Sequence, residues 1–195
     1  MRYHIKSTRR ILDDVFQVDE AQVSFERFDG SMIGPARCLR FVRGDSAAAV
    51  VFDRDLQQIV LVQQFRYPTC DAGPGWTTEV IAGSIDPEET PEFCVRREVE
   101  EETGYRVGEV SPIATFFVSP GGSTERVFLF YAEVGDADRL SGGGGIAAEN
   151  EDLRIMSISL EKVGQLLASG SLVDAKTIIG LQWFLGFHKR VEVFR

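Results

Sequence analysis

A chain of 195 residues leaves room for one domain with an appended subdomain, and 44% apolar with 26% charged residues is the balance of an ordinary water-soluble globule. A net charge of −9 argues against broad binding to nucleic acid or to an anionic membrane, both of which ask for surplus cations. No apolar run approaches the length that spans a bilayer, M-R-Y-H-I-K-S-T-R-R at the start lacks a signal-peptide core, and Cys38, Cys70 and Cys94 have no metal-type spacing, so free thiols in a reducing cytoplasm are expected.

The first 45 residues show strand-like alternation. Val15-Phe16-Gln17-Val18 and Val23 to Phe28 read as strands, Asp29-Gly30 is a hairpin turn signal, and Cys38 to Val42 is the return strand. A meander this short buries little by itself, so it should pack on the rest of the chain or on a second subunit. Arg37, Arg40 and Arg43 supply cations here, with local acids as their ordinary partners. Next, Ala47–Phe52 and Ile59–Phe65 read as two strands joined by the polar turn Asp53-Arg54-Asp55, and Arg66-Tyr67-Pro68 ends the second. After the loop Asp71–Gly75, a strand over Thr77–Ala82 runs directly into Gly83.

Thr90-Pro91 is a helix start, Thr as N-cap and Pro at the first helical position, where it loses no hydrogen bond. Glu92 suits the first turn and Gly104 the residue past the end, which predicts a helix over 91–103. At 3.6 residues per turn, Glu98 and Glu102 share a face at the edge of the apolar stripe of Cys94, Val95 and Val99. Partly desolvated carboxylates held together repel, and burying them uncompensated costs several kcal/mol. Arg97 can pair with Glu101 at i, i+4, which leaves Glu98 and Glu102 over. A hard divalent cation with oxygen ligands is the economical partner, and Mg²⁺ is the usual one where phosphates are also bound. A solvated acidic helix face is the alternative from composition alone.

Further on, Ile113–Val118 is a strand ending in the turn-forming S-P-G-G-S-T-E of residues 119–125, and Arg126–Val134 is the next strand. Ser141 and four glycines lead into Glu149-Asn150-Glu151-Asp152, a pattern shared by mobile catalytic loops and by surface inserts. Leu153–Leu160 alternates as a strand, a helix follows to Ser169 and breaks at Gly170, and Asp174 caps a last helix over 175–189. His4 and His188 lie near the termini, and no placed Ser/His or Cys/His set points to nucleophilic catalysis.

The stretch Gly83–Tyr105 resembles the Nudix box, G-x5-E-x7-R-E-U-x-E-E-x-G-U with U apolar or aromatic, and it fills every defined position: Gly83, Glu89, Arg97, Glu98, Val99, Glu101, Glu102, Gly104 and Tyr105. At roughly 5–10% usage per residue type, chance produces seven such fixed positions on the order of once in 10^8 windows. Gln64-Phe65-Arg66, Glu79–Gly83, the 119–125 turn, Glu149–Asp152 and Leu181-Gln182-Trp183-Phe184 extend the resemblance to the subfamily of ADP-ribose and nucleotide-sugar diphosphatases.

The resemblance implies an α+β fold, an α/β/α sandwich with a mixed sheet over 46–195, plus an N-terminal antiparallel β subdomain over 1–45 exchanged across a homodimer. It implies Mg²⁺, or Mn²⁺ in its place, held by the Ala82 carbonyl, Glu98, Glu102 and Glu151, with Glu101 as a further member of the shell. Arg97 looks like the residue that orients the helix acids. Glu149 and Glu151 are the candidates for activating water, Glu151 the preferred one. Arg37, Arg66, Glu125 and Lys176 are the implied contacts to a small nucleotide-sugar substrate, with neither nucleic acid nor membrane as a partner. The implied reaction is hydrolysis of a diphosphate bond, first of ADP-ribose to AMP and ribose 5-phosphate, the branch that Glu149–Asp152 and Leu181-Gln182-Trp183-Phe184 resemble. GDP-mannose is the alternative, because Asp174-Ala175-Lys176-Thr177 resembles that branch, although Val15 stands where that branch has an aromatic residue. A catalytically silent sensor on the same fold is a further alternative, and a Nudix enzyme acting on capped RNA or nucleoside triphosphates is disfavoured by the acidic charge and by the match outside the box.

Overall fold

Two apolar runs set the architecture. Ser46–Asp53 (β4) and Gln58–Phe65 (β5) are nearly continuous in Ala, Val, Ile and Leu, so both faces of both strands must be covered. The computed structural model, which describes residues 1–145 and 152–193, covers them with helices on either side. Alternate side chains sort the core into two layers. Ala47, Ala49, Val51, Val60 and Val62 meet Cys94, Val95 and Val99 of α1 (Pro91–Thr103). Ala48, Val50, Ile59 and Leu61 face Val163 of α2 (Leu160–Ser169) and Leu181 and Phe184 of α3 (Ala175–Val193). Burying side chains such as Leu181 and Phe184 contributes about 1.5–3 kcal/mol each. This is the expected α/β/α sandwich.

The sheet is mixed. Its order is β10 (Arg154–Ser159), β5, β4, β9 (Arg126–Val134), β8 (Val110–Phe117), and β4 runs parallel to β9 but antiparallel to its other neighbours. β4 and β5 pair directly over Val51–Asp53 and Gln58–Val60, then diverge. The opening is filled by β6 (Trp76–Glu79), which pairs with β5, and β7 (Ile81–Ser84), which pairs with β4. The single strand expected over Thr77–Ala82 is therefore two, because its halves serve different neighbours. Val80 sits at the break, and its N–H donates instead to Thr177 Oγ1 of α3 at 2.8 Å.

The helix ends follow their sequence signals. Thr90 Oγ1 accepts from the Phe93 N–H at 3.2 Å, Pro91 opens α1, and Gly104 closes it with φ +76°, a conformation that favours glycine. Asp174 Oδ2 accepts from the Thr177 N–H at 3.0 Å at the start of α3, which continues to Val193, past the expected end. A Cβ at Gly180 would stand 2.6 Å from Val50 Cγ2, which shows how closely α3 lies on β4.

The chain divides into two compact units, one of residues 1–45 with 117–126, the other of 46–116 with 127–195. The first unit is an antiparallel sheet of β1 (Tyr3–Asp13), β2 (Gln17–Glu26) and β3 (Met32–Val42). β1 was not expected: every residue in it is exposed, and Y-H-I-K-S-T-R-R-I-L-D carries no apolar alternation to reveal it. Segment 117–126 joins this unit through Phe41, whose N–H donates to Gly122 O at 2.7 Å and whose carbonyl accepts from Thr124 N at 3.0 Å. Cys38 and Cys70 are exposed and Cys94 is buried, all three as free thiols. Among the described residues, no helix is long and apolar enough to cross a membrane.

Candidate active site

β7 delivers Gly83 to the N-terminal half of α1, and the two elements pack closely there. The Glu98 carboxylate lies directly over Gly83: a Cβ at that position would stand 1.8 Å from Glu98 Oε1 and 2.5 Å from Oε2. Only a glycine leaves that space open. Glu98 is 8% exposed and Glu102, one turn along, 2% exposed, so both acids of the shared face are withdrawn from bulk water. The Ala82 carbonyl belongs to the peptide that leads into Gly83.

Arg97 is the cation beside these acids. It pairs with Glu101 as expected, Nη1 to Oε2 at 3.0 Å. The expectation that Glu98 is left over needs correction, because the same Nη1 donates to Glu98 Oε1 at 2.7 Å. Arg97 also forks onto Glu89, through Nε at 3.0 Å and Nη2 at 3.1 Å. The turn before α1 brings Glu89 to this side of the helix, where its Oε2 also accepts from the Asp86 N–H at 3.1 Å. The Glu89 bond is the largest influence raising the Arg97 pKa, and Arg97 in turn holds the Glu89 carboxyl below its ordinary range. Burial, with Glu89 and Glu98 adding to it, pushes the Cys94 thiol up to about 12. Cys94 is thus a neutral packing residue, its Sγ donating to Ser84 O at 3.4 Å.

A second charged cluster forms where β6 meets α3. Glu79, 3% exposed, receives Arg66 Nε on Oε1 at 2.9 Å and Nη2 on Oε2 at 3.0 Å. Lys176 Nζ donates to the same Oε2 at 2.6 Å and to Asp174 Oδ1 at 2.9 Å. Although burial opposes it, this company lowers the Glu79 pKa to about 2. Glu79 is also the main cause of the raised Arg66 pKa, to which Glu102 of the first cluster adds. The two clusters therefore lie within electrostatic reach of each other.

Of the residues singled out in the sequence, Glu98 lies over Gly83 and shares Arg97 with Glu101, Glu102 is buried one turn along α1, and Arg66 and Lys176 converge on Glu79. Arg37 and Glu125 lie in the other unit, Arg37 on Glu20 and Glu125 beside Arg43 at 3.7 Å. Arg40 is paired likewise, with Asp19, so Arg37 and Arg40 have local acidic partners, whereas the partner of Arg43 is distant in sequence. Glu149 and Glu151 lie outside the described residues. Sequence reasoning gave no role to Glu79 or to Glu89. The signal for Glu79 was a carboxylate set directly before the apolar Val80-Ile81-Ala82, which demands a partner when buried.

The first cluster suits a hard divalent cation. Its donors are carboxylate and carbonyl oxygens, and the cradle at Gly83 holds the Glu98 carboxylate against the backbone. Among the described residues, no three Asp, Glu, His or Cys side chains converge as a metal-holding group.

Residues 42–178 match the NUDIX domain, well over half of the chain. The chain belongs to the Nudix family. Gly83–Tyr105 is its Nudix box, and the protein is a Nudix hydrolase. It is 36% identical over 185 residues to the GDP-mannose pyrophosphatase of Klebsiella pneumoniae subsp. pneumoniae, covering 94% of this chain and 91% of the relative. The GDP-mannose pyrophosphatase of an Enterobacter species is 35% identical over 94% of this chain and 95% of its own length. An Escherichia coli protein of the same name is 34% identical over 90% of this chain and 91% of its own. Among solved structures, an ADP compounds hydrolase shares the fold with a TM-score of 0.75 at 16% identity, over 97% of this chain and 95% of that one.

Proposed function

We propose that this Nudix hydrolase cleaves the diphosphate bond of a nucleoside diphosphate sugar with the help of a divalent cation, Mg²⁺ or Mn²⁺, and that the sugar nucleotide is GDP-mannose, giving GMP and mannose 1-phosphate. The observation that carries the reading is the pairing of an acid-rich cradle at Gly83 with the cations Arg66 and Lys176 next to it. One attracts a metal ion, the other phosphate, and a diphosphate bound to a cation needs both.

Glu98, Glu102 and the Ala82 carbonyl, with Glu101 beside them, are the residues that would hold the ion. When bound, it supplies positive charge to the phosphate oxygens and lowers the pKa of a water. Arg97 keeps the acids pointed by anchoring Glu98 and Glu101 on one side and Glu89 on the other. Arg66 and Lys176 bind the diphosphate. Glu151, or Glu149, takes the proton from the attacking water. The exposed apolar residues of the first unit, Tyr3, Ile5, Leu12 and Phe25 among them, support its pairing with a second copy of the chain in a homodimer.

GDP-mannose is favoured over ADP-ribose by what the relatives are called, at 34–36% identity over about nine-tenths of the chain. One of the motifs that pointed to ADP-ribose has a different explanation. In Leu181-Gln182-Trp183-Phe184, Leu181 and Phe184 are wholly buried against the sheet, so packing dictates their identity. ADP-ribose remains the second reading, on the Glu149–Asp152 motif. The test is product analysis after incubation with Mg²⁺ and each compound separately. GMP from GDP-mannose alone supports the first reading, AMP from ADP-ribose replaces it with the second, and turnover of neither points to the silent sensor.

A further inference from the structure

We propose that Glu79 is a positioning residue for this reaction: its buried carboxylate holds Arg66 and Lys176 in the orientation from which both meet the substrate's diphosphate. The proposal rests on the nucleotide-sugar reading above.

The two cations come from distant parts of the chain. Arg66 follows β5 and Lys176 lies in the first turn of α3, and they meet at Glu79, the last residue of β6. Each Glu79 oxygen is doubly engaged, Oε1 by Arg66 Nε and the Thr77 hydroxyl, Oε2 by Arg66 Nη2 and Lys176 Nζ. A carboxylate this buried is costly unless its lone pairs are used, and here they are. The two-pronged contact fixes more than distance: a planar guanidinium on a planar carboxylate has its plane and direction set. The Arg66 side chain nevertheless keeps 41% of its surface exposed, so the guanidinium is both oriented and accessible.

Lys176 is held from both sides. Its second partner, Asp174, accepts from the Thr177 N–H and hydroxyl, and the Thr177 hydroxyl oxygen accepts from the Val80 N–H. The hydrogen bonds therefore close a ring, from Glu79 through Lys176, Asp174 and Thr177 back to Val80, the neighbour of Glu79. Two carboxylates and two cations balance in this group, so it stands complete before any phosphate arrives.

A purely structural role, fastening α3 to β6, is the competing explanation. Thr177 on Val80, with Leu181 and Phe184 in the core, already fastens the helix, which leaves Glu79 with the work of aiming its cations. A double-mutant cycle separates the two. Steady-state hydrolysis of whichever nucleotide sugar the wild type cleaves is measured at saturating Mg²⁺ for Glu79→Gln, Arg66→Lys and the double variant. Thermal midpoints and half-saturating Mg²⁺ are recorded alongside.

Each single change is expected to lower kcat/KM by about 10- to 100-fold, the size of one lost charge-assisted hydrogen bond. The double variant is expected within about threefold of the worse single one, because residues that act as a unit are not additive. Half-saturating Mg²⁺ should stay at the wild-type value in Glu79→Gln. Losses that multiply in the double variant, or wild-type kinetics in Glu79→Gln, would overturn the proposal while leaving the nucleotide-sugar reading in place. Should Glu79→Gln fail to fold, Glu79→Asp keeps the charge, shortens the reach to Arg66, and faces the same criterion. A wild-type protein that cleaves no nucleotide sugar ends both the reading and the proposal.

Discussion

The two charged clusters of the catalytic unit are built from the same residue types and have opposite needs. Beside Gly83, the carboxylates of Glu89, Glu98 and Glu101 gather around the guanidinium of Arg97, with Glu102 buried one turn along, so negative charge is in excess among these residues. Around Glu79, two carboxylates meet two cations and the account is level. In the proposed function the first arrangement takes up a further cation from solution. The second is balanced by itself and still leaves the Arg66 side chain 41% exposed. Burial is common to the two clusters; the balance of charge is what separates them.

The difference can be broken most sharply at the acids. Glu98→Gln or Glu102→Gln should lower turnover at least about 100-fold with thermal unfolding near wild type, since each removes a charge from the cation's shell. Near-normal steady-state rates in either variant would return this face to a solvated acidic surface. Next in size is Gly83→Ala, whose Cβ would occupy the place of the Glu98 carboxylate. Displacing that acid should cost about 10- to 100-fold in turnover and, through overpacking, about 1–3 kcal/mol in denaturant unfolding. An active Gly83→Ala enzyme would mean that Glu98 works from another position.

The balanced cluster should answer through stability. Thr177→Val keeps the side-chain volume but removes the acceptor for the buried Val80 N–H, for an expected loss of about 1–3 kcal/mol in urea unfolding. Little change would mean that another group takes up that N–H. Acid sharpens the contrast further. The folded pKa of Glu79, about 2, lies below the ordinary 4.5, so folding favours its ionised form. The stability it contributes is fully present above about pH 4.5 and is lost as the pH falls toward 2. The stability gap between wild type and Glu79→Gln should accordingly narrow below about pH 4; a gap independent of pH would place the effect elsewhere than in the charge.

How much of this the sequence disclosed depended on how local the cause was. The helix α1, its Thr90-Pro91 start, its Gly104 end and the shared face of Glu98 and Glu102 are determined within one short stretch and could be read directly. So could the apolar runs of β4 and β5. The fork that splits Thr77–Ala82 into two strands could not, because each half answers to a different partner strand. The role of Glu79 was hidden for the same reason, its cations lying 13 and 97 residues away. Arg97 shows the intermediate case. Its i, i+4 contact with Glu101 follows from helix geometry, whereas its fork onto Glu89 depends on the turn that precedes the helix.

The claim on which the account turns is that the acids at Gly83 take up a divalent cation. Calorimetric titration of Mn²⁺ or Mg²⁺ into the substrate-free protein, wild type against Glu98→Gln, tests it directly. The account predicts saturable binding by the wild type and an affinity at least about tenfold weaker in the variant, as loss of one anionic ligand requires. Equal binding by the two proteins, or none by the wild type, would contradict it.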